Sequence, residues 1–515
     1  MNANLSALRL VPFLVAGVHF MSAAALAQGA GDSWRDRAQS VGTAAVDEGR
    51  SRGLFIAWIS PEGSGWVSAG QSGNPQRPQI DQHTRFEIGS ITKVFTTSLL
   101  ATAVERGEVS LDDPLRTLLP QQKFGNEALA TLSLRDLSTH TSGLARLPLT
   151  REGLKRFLLR FENPYRGTPV SDFWQLLAEP KTLESSGPLP RPQAYSNFGM
   201  AVLGQTLAQR LGKPYETLIE ERLLHPLGMQ ETTVHAPTQQ ADYMAQGHRE
   251  NFRATSRWDL DAYAPAGGIW SSGRDLSRFL AAQIDQGAPG AKLAQMPHLA
   301  AAGGGFAMGL GWIIRDHEGR RALWHNGGTG GFRSFLAFEA ATGTGILVLA
   351  NTAQEVDDLG WQLLLGTPPK PVHPSIAAQL MSWPFAWIAP LLLWRVRREL
   401  QTPAAPPKPG EHKKGWHFLK GLFQSAPPQD RLATLTVVAE AAFILSISRV
   451  FGAWQVWPMA IWWLALALSL PLGLALGYEA KKLPWVNPRR FWQWVLCFAG
   501  CGVMALGVVA VWLFA

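Results

Sequence analysis

Short apolar runs bounded by turn residues occur near both ends of the first 370 residues, and helical patterns fill the region between them. Residues 54–59 form one such run, and residues 66–70 follow it after a turn, as the strands of a hairpin do. Between residues 116 and 300, short helical patterns alternate with loops rich in Pro and Gly. This order predicts an α/β domain in which an antiparallel sheet with flanking helices carries an inserted helical subdomain. Further strands are predicted at 312–314, 321–324, 332–338 and 345–351, and flanking helices at 33–52 and 356–365.

The pattern changes after residue 367, where a Pro-rich linker at 368–375 leads into long apolar runs. Each run has the roughly 17–25 residues that a helix needs to span a bilayer. The sequence therefore predicts a multi-helix transmembrane region over 376–515, which follows a domain at 28–367. Its four predicted helices cover 376–394, 432–448, 454–478 and 491–515.

Charged residues predict how this tail is oriented. The whole formal net charge of +8 belongs to the chain after residue 370, because acidic and basic residues balance before it. The connections at 395–431 and 479–490 carry eight and four Lys or Arg residues, whereas the connection at 449–453 carries one. Basic connections lie on the cytoplasmic side of membrane proteins, so the domain is predicted to lie outside the cytoplasm. Basic residues that flank apolar runs do not form a nucleic-acid-binding patch on a folded domain.

The N-terminus agrees with that orientation. Residues 1–27 have a positive start at Arg9, an apolar stretch and an Ala-Leu-Ala cleavage site at 25–27, which is typical of a secretory signal peptide. The predicted location is thus the cell membrane, crossed several times, with an extracytoplasmic domain. Because Cys497 and Cys501 both lie in the last apolar run, the domain has no disulfide and no Cys-based metal site.

The candidate chemistry begins with the sequence Gly-Ser-Ile-Thr-Lys at positions 89–93. It follows an alternating run at 86–88, typical of a strand, and leads into a helical segment at 91–104. Ser90 and Lys93 are three residues apart, so they share one face of the helix start. A lysine can activate a serine hydroxyl when burial and neighbouring positive charge lower the pKa of its amine. A capping serine followed by a surface lysine has the same spacing, so this pattern decides nothing alone.

Two further patterns supply candidate partners. Tyr195 and Asn197 belong to a Tyr-Ser-Asn triplet that precedes a helical segment at 199–211. A tyrosine is a usable base where cations such as Lys93 favour its phenolate, and an asparagine offers a donor and an acceptor to a substrate amide. A His-Asn-Gly-Gly segment at 325–328 connects two predicted strands, and its glycines let a substrate approach the backbone. Each pattern alone is more typical of an ordinary loop than of an active site.

Together the three patterns resemble those of class C β-lactamases and their relatives, which include D-alanyl-D-alanine carboxypeptidases, D-aminopeptidases and family VIII carboxylesterases. The segments 89–93, 195–197 and 325–327 occur in the order and approximate spacing of that family. The resemblance covers residues 35–365 and implies a β-lactamase/transpeptidase-like fold; it does not extend to the apolar tail. Further similar stretches lie at 106–114, 134–144, 225–229, 266–272, 330–332 and 349–351.

By this resemblance Ser90 is the acylated nucleophile, and Lys93 and Tyr195 share the role of the base. The backbone N–H groups of Ser90 and Gly328 would stabilise the oxyanion. Water would then hydrolyse the acyl-enzyme, and neither a metal nor an organic cofactor is implied. The expected substrate-binding residues are Asn197, His325, Asn326, Gly327 and Gly328.

The third motif departs from the family pattern. Class C β-lactamases usually have Lys-Thr-Gly where this chain has His325, Asn326 and Gly327. A neutral imidazole binds a carboxylate less well than an ammonium group, and histidine occurs there in several esterase and peptidase relatives. The expected substrate is therefore a β-lactam, a D-amino-acid peptide from the cell wall or, if the protein is a carboxylesterase, a small ester.

A hypothesis of another class is a receptor whose outer domain binds a muropeptide or β-lactam and signals through the membrane part. Four apolar runs motivate it, since one helix suffices as an anchor, and the partner of the tail is unknown. Glu440 lies within the second run, where a functional carboxylate and a structural pairing with Arg449 are both open. The complete set of Ser90, Lys93 and Tyr195 favours the enzyme.

Overall fold

The computed structural model describes most of the region before residue 370 and part of the tail. The predicted signal peptide at 1–27 and the predicted helix at 491–515 lie outside the described residues. The described residues are 33–148, 163, 165–179, 182–183, 187–237, 241–301, 306–369, 380, 382–401, scattered positions between 434 and 448, and 459–483.

An antiparallel sheet of seven strands forms the centre of the domain, as the sequence predicts. Its strands are β1 (Gly53–Ser60), β2 (Gly63–Gly70), β5 (Ala307–Met308), β6 (Ile313–His317), β7 (Arg320–Gly328), β8 (Arg333–Glu339) and β9 (Thr344–Ala350), while β3 (Arg85–Glu87) and β4 (Trp270–Ser272) lie outside it. The order in the sheet is β2-β1-β9-β8-β7-β6-β5, so the first hairpin pairs with the last strand. The two ends of the domain sequence therefore close one sheet.

Helices pack on both faces of this sheet and form the region between β3 and β5. Described helices of the domain are α1 (Trp34–Asp47), α2 (Thr92–Glu105), α3 (Leu115–Leu118), α4 (Glu127–Ala130), α5 (Leu134–Ser138), α6 (Val170–Leu177), α7 (Asn197–Leu211), α8 (Tyr215–Ile219), α9 (His225–Leu227), α10 (Ala264–Gly267), α11 (Gly273–Ile284), α12 (Ala291–Gln295) and α13 (Asp357–Leu365). The predicted helical subdomain is thus present, as are the two flanking helices α1 and α13.

Two apolar cores explain why β1 is a continuous apolar run. Leu54 and Ile56 point into the core beneath α1 and α13. Phe55 and Ala57 point into the larger core on the other face, with α2 and the helical region. Successive side chains of a strand face opposite sides, so a strand covered on both sides has no polar face.

The structure corrects two details of the predicted strands. The strand at 86–88 exists as β3, but it pairs with β4 in a separate two-stranded sheet, inside a region predicted to be mainly helical. β7 was predicted to end at residue 324, with the motif at 325–328 as a connection; instead the motif is the second half of the strand. The two glycines of the motif have low strand propensity. They are part of the strand because β7 pairs with β8 as far as Gly328.

The tail gives partial support to the predicted membrane region. Two further helices are α14 (Trp383–Gln401) and α15 (Met459–Ala480). Within the described part of the chain, Ala460–Ala480 is the one helix that is long and apolar enough to cross a membrane. The helix predicted at 376–394 corresponds to α14, which extends past residue 394 into a segment rich in arginine, and the helix predicted at 432–448 is described only at scattered positions. One of the four predicted spans, at 454–478, therefore has support.

Candidate active site

Ser90 lies in a sharp turn between β3 and α2. Gly89 has a φ of +50°, which ends the strand, and a 3-10 turn at Gly89–Ile91 leads into the helix. This turn directs the side chain of Lys93 toward that of Ser90, and Lys93 Nζ lies 2.9 Å from Ser90 Oγ. Lys93 Nζ also donates a hydrogen bond to the carbonyl of Ala266 at 2.6 Å. The structure therefore brings the predicted nucleophile and the predicted base into direct contact.

Lys93 is fully buried, and its surroundings favour the neutral amine. Burial lowers the pKa of Lys93 well below its usual range, and the positive charge of Arg146 lowers it further. A neutral amine has a lone pair that can take the proton of a hydroxyl group. The contact between Ser90 and Lys93 is thus suited to general-base catalysis.

Tyr195 lies beside the same pair, but its electrostatics differ from the prediction. Lys93 Nζ is 4.7 Å from the centroid of the Tyr195 ring, and the phenol hydrogen-bonds with the side chain of Ser90. Burial nevertheless raises the pKa of Tyr195 above its usual range, and the Ser90 hydrogen bond and Arg146 offset this only in part. Because the phenol remains protonated, Lys93 rather than Tyr195 is the group placed to accept the first proton.

Asn197, predicted to bind substrate, is the first residue of α7. Its Nδ2 donates a hydrogen bond to the Tyr165 hydroxyl at 2.8 Å. Its Oδ1 is buried and has no hydrogen-bond partner among the described residues. Such an acceptor can receive an N–H group of a substrate.

The third motif lies on β7, and its side chains alternate between the two sheet faces. His325 is 1% exposed, and its Nδ1 lies 2.6 Å from the carbonyl oxygen of Asn326. Burial is the main cause that lowers the pKa of His325 to about 3, and any positive charge on Lys93 lowers it further, so its imidazole is neutral at pH 7. Its ring centroid is 6.4 Å from that of Tyr195, which places His325 at the site.

Asn326 is the predicted site residue whose side chain the structure does not bring to Ser90. Its Nδ2 donates to Asp357 Oδ2 at 2.6 Å, at the start of α13. α13 packs on the face of the sheet opposite α2. Burial raises the pKa of Asp357 to about 7. The side chain of Asn326 therefore ties β7 to α13, and a role in substrate binding stays a prediction for its backbone.

Gly327 and Gly328 let β7 approach the Ser90 turn closely. A Cβ atom on Gly327 would lie 2.0 Å from the carbonyl oxygen of Ile88, and one on Gly89 would lie 2.6 Å from the nitrogen of Gly328. Ser334 Oγ on β8 donates to the same Ile88 carbonyl at 2.8 Å. The backbone before Ser90 is thus held against the end of β7, as a shared oxyanion site at Ser90 and Gly328 requires.

Sequence reasoning gave no role to three residues of this site: His140, Arg146 and Tyr165. The ring of His140 lies 4.6 Å from that of Tyr195, and Arg146 Cζ lies 5.2 Å from the Tyr195 centroid. The signal available was their place within or next to the stretch 134–144, which carries the family resemblance. Tyr165 has no comparable signal, because it is distant from Asn197 in the sequence and meets it only in the fold.

No group of three or more His, Cys, Asp or Glu residues that could hold a metal ion occurs among the residues that the structure describes. The groups that meet at Ser90 are instead an amine, a phenol, imidazoles and backbone amides. A serine in contact with the buried amine of a lysine three residues later defines the class of serine hydrolases with a Ser-x-x-Lys motif.

Comparison with known proteins identifies the family. The family model described as Beta-lactamase matches residues 31–365, and the chain belongs to this family of serine hydrolases. A β-lactamase from Pseudomonas fluorescens is 26% identical over 338 residues, which cover 58% of this chain and 88% of that protein. The D-alanyl-D-alanine-carboxypeptidase/endopeptidase AmpH of Escherichia coli K12 is 29% identical over 295 residues, which cover 54% of this chain and 73% of AmpH.

The fold agrees with solved structures. A β-lactamase/D-alanine carboxypeptidase from Pseudomonas syringae superposes with a TM-score of 0.56 at 21% identity, covering 66% of this chain and all of that chain. A class C β-lactamase from Rhodobacter sphaeroides superposes with a TM-score of 0.51 at 22% identity, covering 62% and 95%. The β-lactamase/transpeptidase-like fold implied by the sequence resemblance is therefore confirmed.

Proposed function

We propose that this protein is a membrane-anchored, extracytoplasmic serine hydrolase that acts through an acyl-enzyme on β-lactams or D-amino-acid peptides of the cell wall. The observation that carries the proposal is the 2.9 Å contact between the buried Lys93 amine and the Ser90 hydroxyl. The names of its relatives, a β-lactamase and a D-alanyl-D-alanine-carboxypeptidase/endopeptidase, support this substrate class.

The proposed reaction has two steps. Neutral Lys93 takes the hydroxyl proton of Ser90 as Oγ attacks the substrate carbonyl carbon, and the N–H groups of Ser90 and Gly328 stabilise the oxyanion. The bond to the leaving group then breaks, and Tyr195 passes a proton to the departing atom and regains one from Lys93. Water attacks the acyl-enzyme in the second step and releases the acid and free Ser90.

The same geometry supports the proposed substrate-binding groups of the protein. Asn197 Oδ1 is the acceptor for a substrate amide, while Gly327 and the backbone of β7 offer an edge along which an extended substrate can lie. No step uses a metal or an organic cofactor. The domain at 28–367 performs the chemistry, the linker at 368–375 follows it, and the apolar tail at 376–515 is the anchor.

The proposed location rests on three cues. These are the signal-like N-terminus at 1–27, the basic connections of the tail, and the span Ala460–Ala480 within α15. The signal and the charge bias both direct the domain out of the cytoplasm. We include the spans predicted at 376–394, 432–448 and 491–515 in the proposal as parts of the same anchor.

A carboxylesterase is the alternative, and the state of His325 favours it. The neutral imidazole occupies the position where class C β-lactamases have a lysine, so position 325 offers no cation to a β-lactam carboxylate. An uncharged ester does not need that cation. The two functions share Ser90, Lys93 and Tyr195, and they differ in substrate.

The test is a substrate panel given to the full-length protein purified in detergent. Nitrocefin, an acylated D-Ala-D-Ala peptide and a p-nitrophenyl ester are compared in wild type, Ser90→Ala and Ser98→Ala, because Ser98 is a buried serine on α2, the helix that follows the Ser90 turn. We expect Ser90-dependent turnover of the β-lactam or the peptide, unchanged in Ser98→Ala. Turnover of the ester alone would replace the proposal by the carboxylesterase, and turnover that survives in Ser90→Ala would refute both.

A further inference from the structure

The charges around the site do not balance. The positive charge of Arg146 acts on Lys93, His140, Tyr195 and Tyr165, shifting the pKa of each group downward. Among the residues that the structure describes, no carboxylate contributes to those four shifts. With His325 neutral, Arg146 provides a positive field at the site, and none of the described acidic side chains pairs with it there.

The backbone holds Arg146 in place beside Asn197. The carbonyl of Arg146 accepts a hydrogen bond from the Phe198 N–H at 3.2 Å, and the carbonyl of Ala145 accepts one from Ser196 Oγ at 2.7 Å. Both residues that flank Asn197 are therefore tied to the segment that carries Arg146. The position of Arg146 is fixed by the same contacts that place the first turn of α7.

The side chain of Arg146 is accessible. It is exposed, while its Cζ lies 5.2 Å from the centroid of the Tyr195 ring. In the described part of the chain, its guanidinium group has no ion pair with an acidic side chain. A planar guanidinium group binds a carboxylate through two parallel hydrogen bonds, which gives both strength and orientation.

We propose that Arg146 is a specificity-determining residue that binds a carboxylate group of the substrate at the mouth of the site. Arg146 takes over, from the α7 side, the recognition of charge that His325 on β7 does not provide. The substrate class is thus an acyl donor that carries a carboxylate, on either the acyl group or the leaving group. This inference rests on the proposed hydrolase function and narrows it to anionic substrates.

Matched substrate pairs test this inference on the full-length protein. The first pair is the mono-p-nitrophenyl ester of glutaric acid and its methyl-capped form, which differ by a carboxylate on the acyl group. The second pair is an acylated D-Ala-D-Ala peptide and its C-terminal amide, which differ by a carboxylate on the leaving group. The measured quantity is the ratio of kcat/KM for the charged member to that for the neutral member of each pair.

We expect wild type to prefer the charged member of at least one pair, and Arg146→Gln to lower that ratio about tenfold, mainly through KM. Arg146→Lys, which keeps the charge without the planar group, should fall between the two. Arg321→Gln is the control, because Arg321 pairs with Asp316 in the β6–β7 hairpin. An equal loss on charged and neutral substrates would overturn the inference, since it would mean that Arg146 acts only through Lys93 and Tyr195.

A binding measurement separates this inference from the proposed function. Benzylpenicillin and its methyl ester are bound to Ser90→Ala, with and without Arg146→Gln, so no chemistry is required. The inference is supported if Ser90→Ala binds the free acid more tightly than the methyl ester and if Arg146→Gln lowers the affinity for the free acid at least fivefold. This result would support the carboxylate site even if wild type hydrolyses none of the substrates. Equal binding of the two compounds, or no binding of either, together with an unchanged kinetic ratio, contradicts it.

Discussion

At the scale of the residue, the proposed catalysis depends on a lysine whose pKa is well below its usual range. The amine of Lys93 is buried, donates to the Ala266 carbonyl and lies 2.9 Å from Ser90 Oγ. Burial is the main cause that lowers its pKa. In the proposed mechanism lysine supplies the base, whereas arginine, which stays protonated under all ordinary conditions, has no lone pair to offer.

This difference gives the first prediction. Lys93→Met and Lys93→Arg should each lower kcat/KM by about 10²–10⁴-fold, because neither side chain can take the proton of Ser90. The measurement is the rate of hydrolysis of the best substrate, with circular dichroism to check the fold. An Arg variant that keeps more than a tenth of the activity would mean that position 93 acts as a cation.

The buried imidazole of His325 should lower the stability of the folded protein in acid. The pKa of His325 is about 3 in the folded state, below the usual value of about 6.5, so the unfolded chain takes up the proton first as the pH falls. The folded state therefore loses stability below pH 6.5, by up to about 3 kcal/mol for this group at pH 4.5.

Urea unfolding of wild type and His325→Gln at pH 7 and pH 4.5 measures this effect. The variant should lose less stability between the two pH values than wild type does. His317→Gln, on the β6–β7 hairpin, is the matched control and should behave as wild type. Equal losses in wild type and His325→Gln would contradict a neutral, buried His325.

At the scale of the element, the close contact between β7 and the Ser90 turn decides whether the oxyanion site forms. A Cβ on Gly327 would lie 2.0 Å from the Ile88 carbonyl, which is backbone and cannot move aside cheaply. A Cβ on Gly328 would instead meet Arg333 Nη1 at 2.9 Å, the far end of a flexible side chain. The two adjacent glycines therefore differ in what they tolerate.

We expect Gly327→Ala to lower kcat by at least a hundredfold and to destabilise the domain by about 1–3 kcal/mol, as overpacking does. Gly328→Ala should keep kcat within about tenfold of wild type. The measurement is kcat for both variants with their urea midpoints. Equal effects of the two substitutions would mean that the approach of β7 to Ile88 has no special role.

His140 connects α5 to the loop that carries Tyr195. Its φ is +59°, its carbonyl accepts from the Ala194 N–H at 2.8 Å, and its Nδ1 accepts from the Ser196 N–H at 3.3 Å. These two bonds lie on either side of Tyr195, and the two rings are 4.6 Å apart. His140 is thus a positioning residue for the phenol.

His140→Ala should lower kcat more than tenfold with little change in KM, because Tyr195 no longer has a fixed position. His140→Asn should restore part of kcat, since asparagine tolerates a positive φ and offers an acceptor to Ser196. Steady-state kinetics and the pH profile of kcat are the measurements. A rise in KM with kcat unchanged, or no recovery of kcat in His140→Asn, would limit His140 to a packing role.

The sequence predicted the elements whose patterns are local. The apolar run of β1, the turn at Gly89 and the spacing of Ser90 and Lys93 each depend on neighbours in the chain. β4 and the second half of β7 were not predicted as strands. Their sequences, Trp-Ser-Ser and His-Asn-Gly-Gly, have weak strand patterns, and each forms a strand by pairing with a segment distant in the sequence or across a hairpin. The raised pKa of Tyr195 could not be predicted from the sequence either, since the burial that causes it depends on the whole fold.

At the scale of the whole molecule, we propose that an exported hydrolase domain is joined to a membrane tail. The basic connections of the tail and the signal-like N-terminus both point the domain outward. We expect the full-length protein to stay with the membrane after carbonate extraction, and its domain to be digested by protease added outside spheroplasts. Lysed cells are the control, because there the protease reaches the domain whatever its orientation. Protection of the domain in intact spheroplasts would contradict the proposed orientation.

The most direct test of the central claim is the site of acylation. Full-length protein is reacted with a fluorescent penicillin and, separately, with a p-nitrophenyl ester, then digested and analysed by mass spectrometry. Acylation through the Ser90–Lys93 contact predicts an acyl adduct on the peptide that contains Ser90, absent in Ser90→Ala, strongly reduced in Lys93→Met and retained in Ser98→Ala. An adduct on another residue, or an adduct at Ser90 that forms equally well without Lys93, would contradict it.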